Sequence, residues 1–133
     1  MDTAAMPDMK LELVPIPVTD IDSAKAFYAE KLGFHLDHDV RPGGDVRVVQ
    51  LTPPGSACSI LLGAGMGEIT NMKPGSVKGL HLVVKDVRKL RETLVSRGVE
   101  VSSVEEYDQG IKVVRFSDPD GNLWLLQEIP AGL

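Results

Sequence analysis

Val46-Arg47-Val48-Val49-Gln50-Leu51-Thr52 and Ile111-Lys112-Val113-Val114-Arg115-Phe116-Ser117 match type for type at an offset of 65 positions. Each segment runs into a turn, Pro53-Pro54-Gly55 in one case and Asp118-Pro119-Asp120-Gly121 in the other, and then into another apolar run. Upstream, Val18-Thr19-Asp20-Ile21 answers Val84-Lys85-Asp86-Val87 at an offset of 66, and Gly33 answers Gly98 at 65. A period near 65 in 133 residues means two copies of one unit, because a solenoid needs three or more shorter repeats.

Each unit reads as βαβββ. In the first, Leu11 to Val18 is apolar enough for a strand, but Pro15 and Pro17 cannot donate ladder bonds and point to an edge. Asp20 fits an N-cap, Ile21, Ala24, Phe27 or Tyr28, and Leu32 follow at helical spacing, and Gly33 closes the helix. Phe34 to Val40 and Val46 to Leu51 are strands around the turn 41–45, and Cys58 to Leu62 is the last strand. In the second unit, Leu80 to Val84 is a strand and Asp86 caps a helix with the stripe Val87, Leu90, Leu94 ended by Gly98. Val99 to Val104, Ile111 to Phe116 and Leu123 to Gln127 complete it. The expected architecture is a single α+β domain over 1–133, with units at 10–63 and 78–129, a glycine-rich linker at 64–77, and curved, largely antiparallel mixed sheets around a cleft.

Composition narrows the function. An apolar share of 43% with 25% charged residues is that of a globular protein, and no apolar run approaches the roughly 20 residues of a spanning helix. The first ten residues have no apolar core of the kind a signal peptide needs. A net charge of −5 argues against nucleic acid and anionic membranes as partners. The single cysteine, Cys58, allows no internal disulfide and fits a reducing cytoplasm.

The paired helix starts, the segment Ala26-Phe27-Tyr28…Leu32-Gly33-Phe34 and Phe116-Ser117-Asp118-Pro119-Asp120-Gly121-Asn122 resemble the vicinal oxygen chelate superfamily over residues 10 to 129. Glyoxalase I, bleomycin-resistance proteins and extradiol dioxygenases belong to it. Both motifs are structural, so they carry fold more than function. The resemblance implies that metal-dependent members place four ligands on the first and last strands of each unit. Those places fall here on Leu13, Gly79, Leu125 and about Leu61, and neither leucine nor glycine has a side-chain lone pair for a metal. The resemblance therefore implies the metal-free, bleomycin-resistance-like branch, without cofactor, binding a small aromatic or polycyclic organic molecule. It also implies a homodimer, because family members commonly pair and form clefts across the interface.

Within that cleft, Leu13, Leu61 and Leu125 are the expected apolar walls. His81 shares a strand face with Gly79 and is the candidate acid/base or ligand contact, against the plainer reading of a half-buried structural histidine. Gln127 shares the face of Leu125, and either enters the cleft or ends a solvated strand. Gln50 and Arg115 occupy equivalent places in the two units and interrupt apolar runs. Arg115 either holds an anionic ligand group or makes a surface ion pair. His35 and His38, three apart on one strand, point to opposite faces unless a bulge intervenes, and they read as surface, with Asp37 and Asp39 solvated. Phe27 and Trp124 read as core, Tyr107 as a cavity mouth, and Met66 and Met72 as an adaptable pocket wall. Rival readings are a glyoxalase-type lyase or isomerase or a dioxygenase, separated by metal content, and a protein with an occluded cleft acting through protein contacts, separated by lack of a pocket.

Overall fold

The computed structural model describes residues 5–132. The elements are β1 (Leu13–Pro15), α1 (Ile21–Ala26) continued by a π-helical turn (Phe27–Lys31), β2 (His35–Gly43), β3 (Val46–Thr52) and β4 (Ser59–Ala64). After the linker come β5 (Lys78–Val83), α2 (Val87–Ser96), β6 (Glu105–Glu106), β7 (Lys112–Ser117) and β8 (Leu123–Glu128). They form two four-stranded sheets of identical plan, β1-β4-β3-β2 and β5-β8-β7-β6. In each, the first and last strands of the unit pair in parallel and the other neighbours are antiparallel. β1 is an edge strand only three residues long, with Pro15 at its end and Pro17 just beyond it. No helix among the described residues is long and apolar enough to cross a membrane.

The helices start as their sequences dictate. Asp20 accepts from the amide of Ser23 at 3.2 Å and Asp86 from that of Lys89 at 3.0 Å. The first helix then widens: the amide of Leu32 reaches back five residues to the Phe27 carbonyl at 3.2 Å. The extra residue in that turn brings Phe27 and Tyr28, consecutive in sequence, into the core together, at 9% and 0% exposure. The two helix ends cap each other across the repeat. Lys31 Nζ donates to the Arg97 carbonyl at 2.6 Å, and Arg97 Nη1 donates to the Lys31 carbonyl at 3.1 Å.

One predicted strand does not form. Within 99–104 there is only a bridge between Val101 and Phe116, and pairing resumes at β6. The Ser102 amide donates to the Arg115 carbonyl, but its hydroxyl accepts from the amide of Arg115 and Arg91 donates through Nε to the Ser102 carbonyl, so side chains stop the ladder after one bridge.

Strand alternation fixes what each sheet face does. On β3, Val49 and Leu51 are buried while Val48, Gln50 and Thr52 are part-exposed. The buried faces of both sheets belong to one cluster, which includes Val49, Leu51, Ile60, Leu62, Val114, Phe116, Trp124 and Leu126. Aromatic rings cross between units: Phe27 to Phe116 at 6.5 Å, Tyr28 to Trp124 at 5.8 Å and Phe34 to Trp124 at 5.8 Å between centroids. The units thus meet through their helix-side faces, and each turns its opposite, open face away from the shared core.

The Asp118–Asn122 turn clasps the units together. Asp118 accepts from Tyr28 Oη at 2.8 Å, from Asn122 Nδ2 at 2.8 Å, and from the amides of Asp120 and Asn122 at 2.9 Å. Asn122 Nδ2 also donates to the Pro17 carbonyl at 2.8 Å, and its Oδ1 accepts from the amide of Val77. Asp120 accepts from both the amide and the hydroxyl of Thr19. A motif that reads as a local turn is therefore a tie between residues about a hundred positions apart.

Candidate functional site

On the open face of the second sheet, β8 presents Leu123, Leu125 and Gln127. Across from them β7 presents Ser117, Arg115 and Val113, and on the other side β5 pairs His81 with Leu125 and Val83 with Gln127. His81, Leu125, Gln127 and Arg115 therefore share one surface. His81 Nδ1 lies 2.6 Å from the Gly79 carbonyl. A carbonyl only accepts, so neutral His81 carries its proton on Nδ1 and keeps the Nε2 lone pair free. Arg115 is held by Glu105 at 3.2 Å, and Glu105 also accepts from Tyr107 Oη at 2.8 Å. These bonds hold the Glu105 carboxyl below its usual range, with the Tyr107 hydroxyl the larger cause and the Arg115 guanidinium the next. Arg115 also borders a depression of about 520 Å³ beside Ser102 and Ser117, where the missing strand leaves room.

On the open face of the first sheet, Gln50 lies between His38 on β2 and Leu61 on β4, while Leu13 lies across from Ser59. The linker covers part of this face. A Cβ on Gly63 would come within 2.6 Å of Met66 Cε, and Leu61 shares with Ile69 and Thr70 a crevice of only about 10 Å³. Leu61, 6% exposed, is thus roofed by the linker rather than standing as an open wall.

A bulge at Asp37 changes the reading of β2. His35 pairs with Thr52 and His38 with Gln50, so both imidazoles lie on the open face. Asp37 is not simply solvated: it takes a short hydrogen bond from the Thr52 hydroxyl and one from His35 Nδ1 at 2.9 Å. Those two donors, the hydroxyl first, hold its carboxyl below the usual range. Thr52 Oγ1 lies 2.6 Å from Ser59 Oγ, and Gln50 Nε2 donates to Ser59 Oγ at 3.2 Å. Asp39 is likewise engaged, with Arg47 and Lys25. This chain of polar side chains was not legible in the sequence; the alternating His35-Leu36-Asp37-His38-Asp39 string was its only trace.

The seven predicted site residues consequently do not line one cleft within a protomer. Leu13, Gln50 and Leu61 lie on one open face, and His81, Arg115, Leu125 and Gln127 on the other. The cavities between the units are apolar. One of about 290 Å³ lies among Leu32, Phe34, Pro53, Leu90 and Phe116, and one of about 230 Å³ among Leu11, Val14, Leu80, His81 and Trp124. Of the seven, only His81 reaches either.

Leu13, Leu61, Gly79 and Leu125 have no donor atoms, so the set does not fit the metal of the superfamily's metal-dependent members. Among the described residues no three His, Cys, Asp or Glu side chains come together to hold an ion.

Two βαβββ units, each a mixed sheet with one helix-covered and one open face, define the class of this fold. The chain belongs to the Glyoxalase/Bleomycin resistance protein/Dioxygenase superfamily, whose model matches residues 10–126. It is similar to TnmS3, an antibiotic binding protein from Streptomyces sp. CB03234, at 35% identity and a TM-score of 0.81, covering 95% of this chain and 100% of that one. It is also similar to a superfamily member from Sphaerobacter thermophilus DSM 20745, at 32% identity and a TM-score of 0.80, covering 91% and 98% of the two chains. The uncharacterized protein YetH of Bacillus subtilis (strain 168) is 28% identical over 117 residues, 86% of this chain and 94% of that protein.

Proposed function

We propose that this protein binds a small, amphipathic, antibiotic-like organic molecule without a metal, and that two copies complete the cleft. The observation that carries the reading is the chemistry of the open faces. Leucine or glycine stands at each place where metal-dependent relatives put ligands, leaving apolar surface with a few polar points, the composition of a small-molecule site. Similarity over nearly the whole chain to an antibiotic binding protein supports the same reading. Because each protomer turns its two faces apart, a ligand enclosed on both sides needs the first-unit face of one copy and the second-unit face of another.

The test is elemental analysis of protein purified without chelator, calorimetric titration with Zn²⁺, Ni²⁺, Mn²⁺ and Fe²⁺, and a thermal-shift screen of aromatic natural products. The expected result is no stoichiometric metal, no uptake, and stabilisation by at least one polycyclic compound. Stoichiometric metal would overturn the reading and restore the lyase or dioxygenase alternative. One observation favours a catalytic variant: the free Nε2 of His81 is a base at the open face. Turnover of the bound compound, lost in His81→Gln with binding retained, would establish it.

A further inference from the structure

We infer that Gln50 orients the ligand on the first-unit face, presenting one fixed donor and one fixed acceptor that select an amide, lactam or imide edge. This rests on the binding reading above and goes beyond it by naming the group recognised.

The direction of every bond in the chain behind Gln50 follows from counting hydrogens. Asp37, ionised, only accepts, so the single Thr52 hydroxyl hydrogen is committed to it. Thr52 Oγ1 and Ser59 Oγ are 2.6 Å apart, so the hydrogen between them must come from Ser59. Ser59 Oγ, its hydrogen committed, can only accept from Gln50, at 3.2 Å. If the amide were flipped, Gln50 Oε1 would face an oxygen with no hydrogen to give. The Asp37 carboxylate, anchored also by His35 Nδ1 at 2.9 Å, therefore sets the Gln50 amide from three side chains away.

Ser59 is 4% exposed, so water does not readily compete for these bonds. One Nε2 hydrogen and the Oε1 of Gln50 remain uncommitted, on the open face between His38 and Leu61. A fixed donor beside a fixed acceptor complements an amide-like edge, and a partner lacking the N–H leaves Oε1 unpaired on binding. Hydrogen-bonding sites discriminate strongly against ligands that leave a polar group unpaired. A freely rotating glutamine would adapt to either partner and select nothing.

The experiment uses the full chain and two fluorescent probes, 1,8-naphthalimide and N-methyl-1,8-naphthalimide, together with the aromatic screen. Wild type should bind the N–H probe about 10-fold more tightly than the N-methyl probe, and Gln50→Leu should remove that preference. Nuclear magnetic resonance of ligand-free protein should show the Gln50 side-chain amide as a rigid pair, and Thr52→Val should release it while Thr52→Ser keeps it. An averaged Gln50 amide in wild type, or equal binding of the two probes, overturns the inference. So does failure of both probes when another aromatic compound binds, which leaves the binding reading intact. If nothing in the screen binds, the binding reading fails first and the inference with it.

Discussion

The phenol of Tyr28 is wholly buried, donates to Asp118 and accepts from Trp124 Nε1 at 3.0 Å. Burial first, and the Asp118 carboxylate second, hold its ionisation far above the usual phenol range, so it stays a donor at any working pH. Tyr28→Phe leaves the Trp124 N–H without that acceptor and Asp118 short of a donor. Urea unfolding should show a loss of about 2 kcal/mol, and a change under about 0.5 kcal/mol would mean that water replaces the hydroxyl. Charged side chains at the other end of the first unit set an acid limit. Arg47, 8% exposed, reaches Asp22 at 2.7 Å and Asp39 at 2.9 Å, and its hydrogen bonds hold both carboxyls down, Asp39 well below the ordinary carboxylate range. Lowered folded-state values mean that the unfolded chain takes up protons first as pH falls. The contribution is therefore complete above the unfolded carboxyl pKa of about 4 and is lost below it. Urea midpoints measured at pH 7 and pH 3 should fall in wild type and fall less in Arg47→Met. Gln50 was visible in the sequence because it interrupts an apolar strand, whereas Asp37 was not, because the bulge that redirects it obeys no alternation.

Among the elements, the contact between linker and clasp is the tightest. Gly75 has φ +80°, and a Cβ there would run into the Asp120 carbonyl, which is backbone and cannot step aside. Gly44 has φ +55° with open space around it. Ala at Gly44 should cost only the left-handed penalty of about 1 kcal/mol, and Ala at Gly75 clearly more, about 2 kcal/mol or above. Calorimetric melting of the two variants separates backbone strain from close approach, and equal losses would rule out the clasp contact as a source of stability. Helix caps and edge prolines were legible because each is written in local residue chemistry. The segment 99–104 was not, since its apolar pattern suits a strand while Ser102 and Arg91 intercept the ladder from elsewhere in the fold. The clasp itself reads in sequence as a turn, because its partners Pro17 and Thr19 lie a hundred residues upstream.

At the scale of the whole molecule, period-two alternation tells which side chains leave a sheet together but not which surface they meet. The open-face sets could be read that way, yet their turning apart follows only from the crossing of Phe27, Tyr28 and Phe34 onto Phe116 and Trp124. A solvated open face should alternate to polar residues. The first unit's face carries Val40, 49% exposed, at the opposite edge from Leu13, and the second unit's carries Val83, 68% exposed, on the strand next to Leu125. In the proposed dimer, one exchange of first-unit for second-unit faces would cover both faces of each protomer and build two clefts. Sedimentation should then give a dimer at ~10 µM chain, within the range of an interface of standard size. Val83→Asp should sediment as a monomer, keep the wild-type far-UV circular dichroism because that side chain is exposed in the single chain, and melt below wild type by the stabilisation that dimerisation supplies. The same variant should lose the thermal shift given by any aromatic ligand. A wild type that stays monomeric at ~100 µM while still binding ligand would separate the binding site from the interface and place it on a single face.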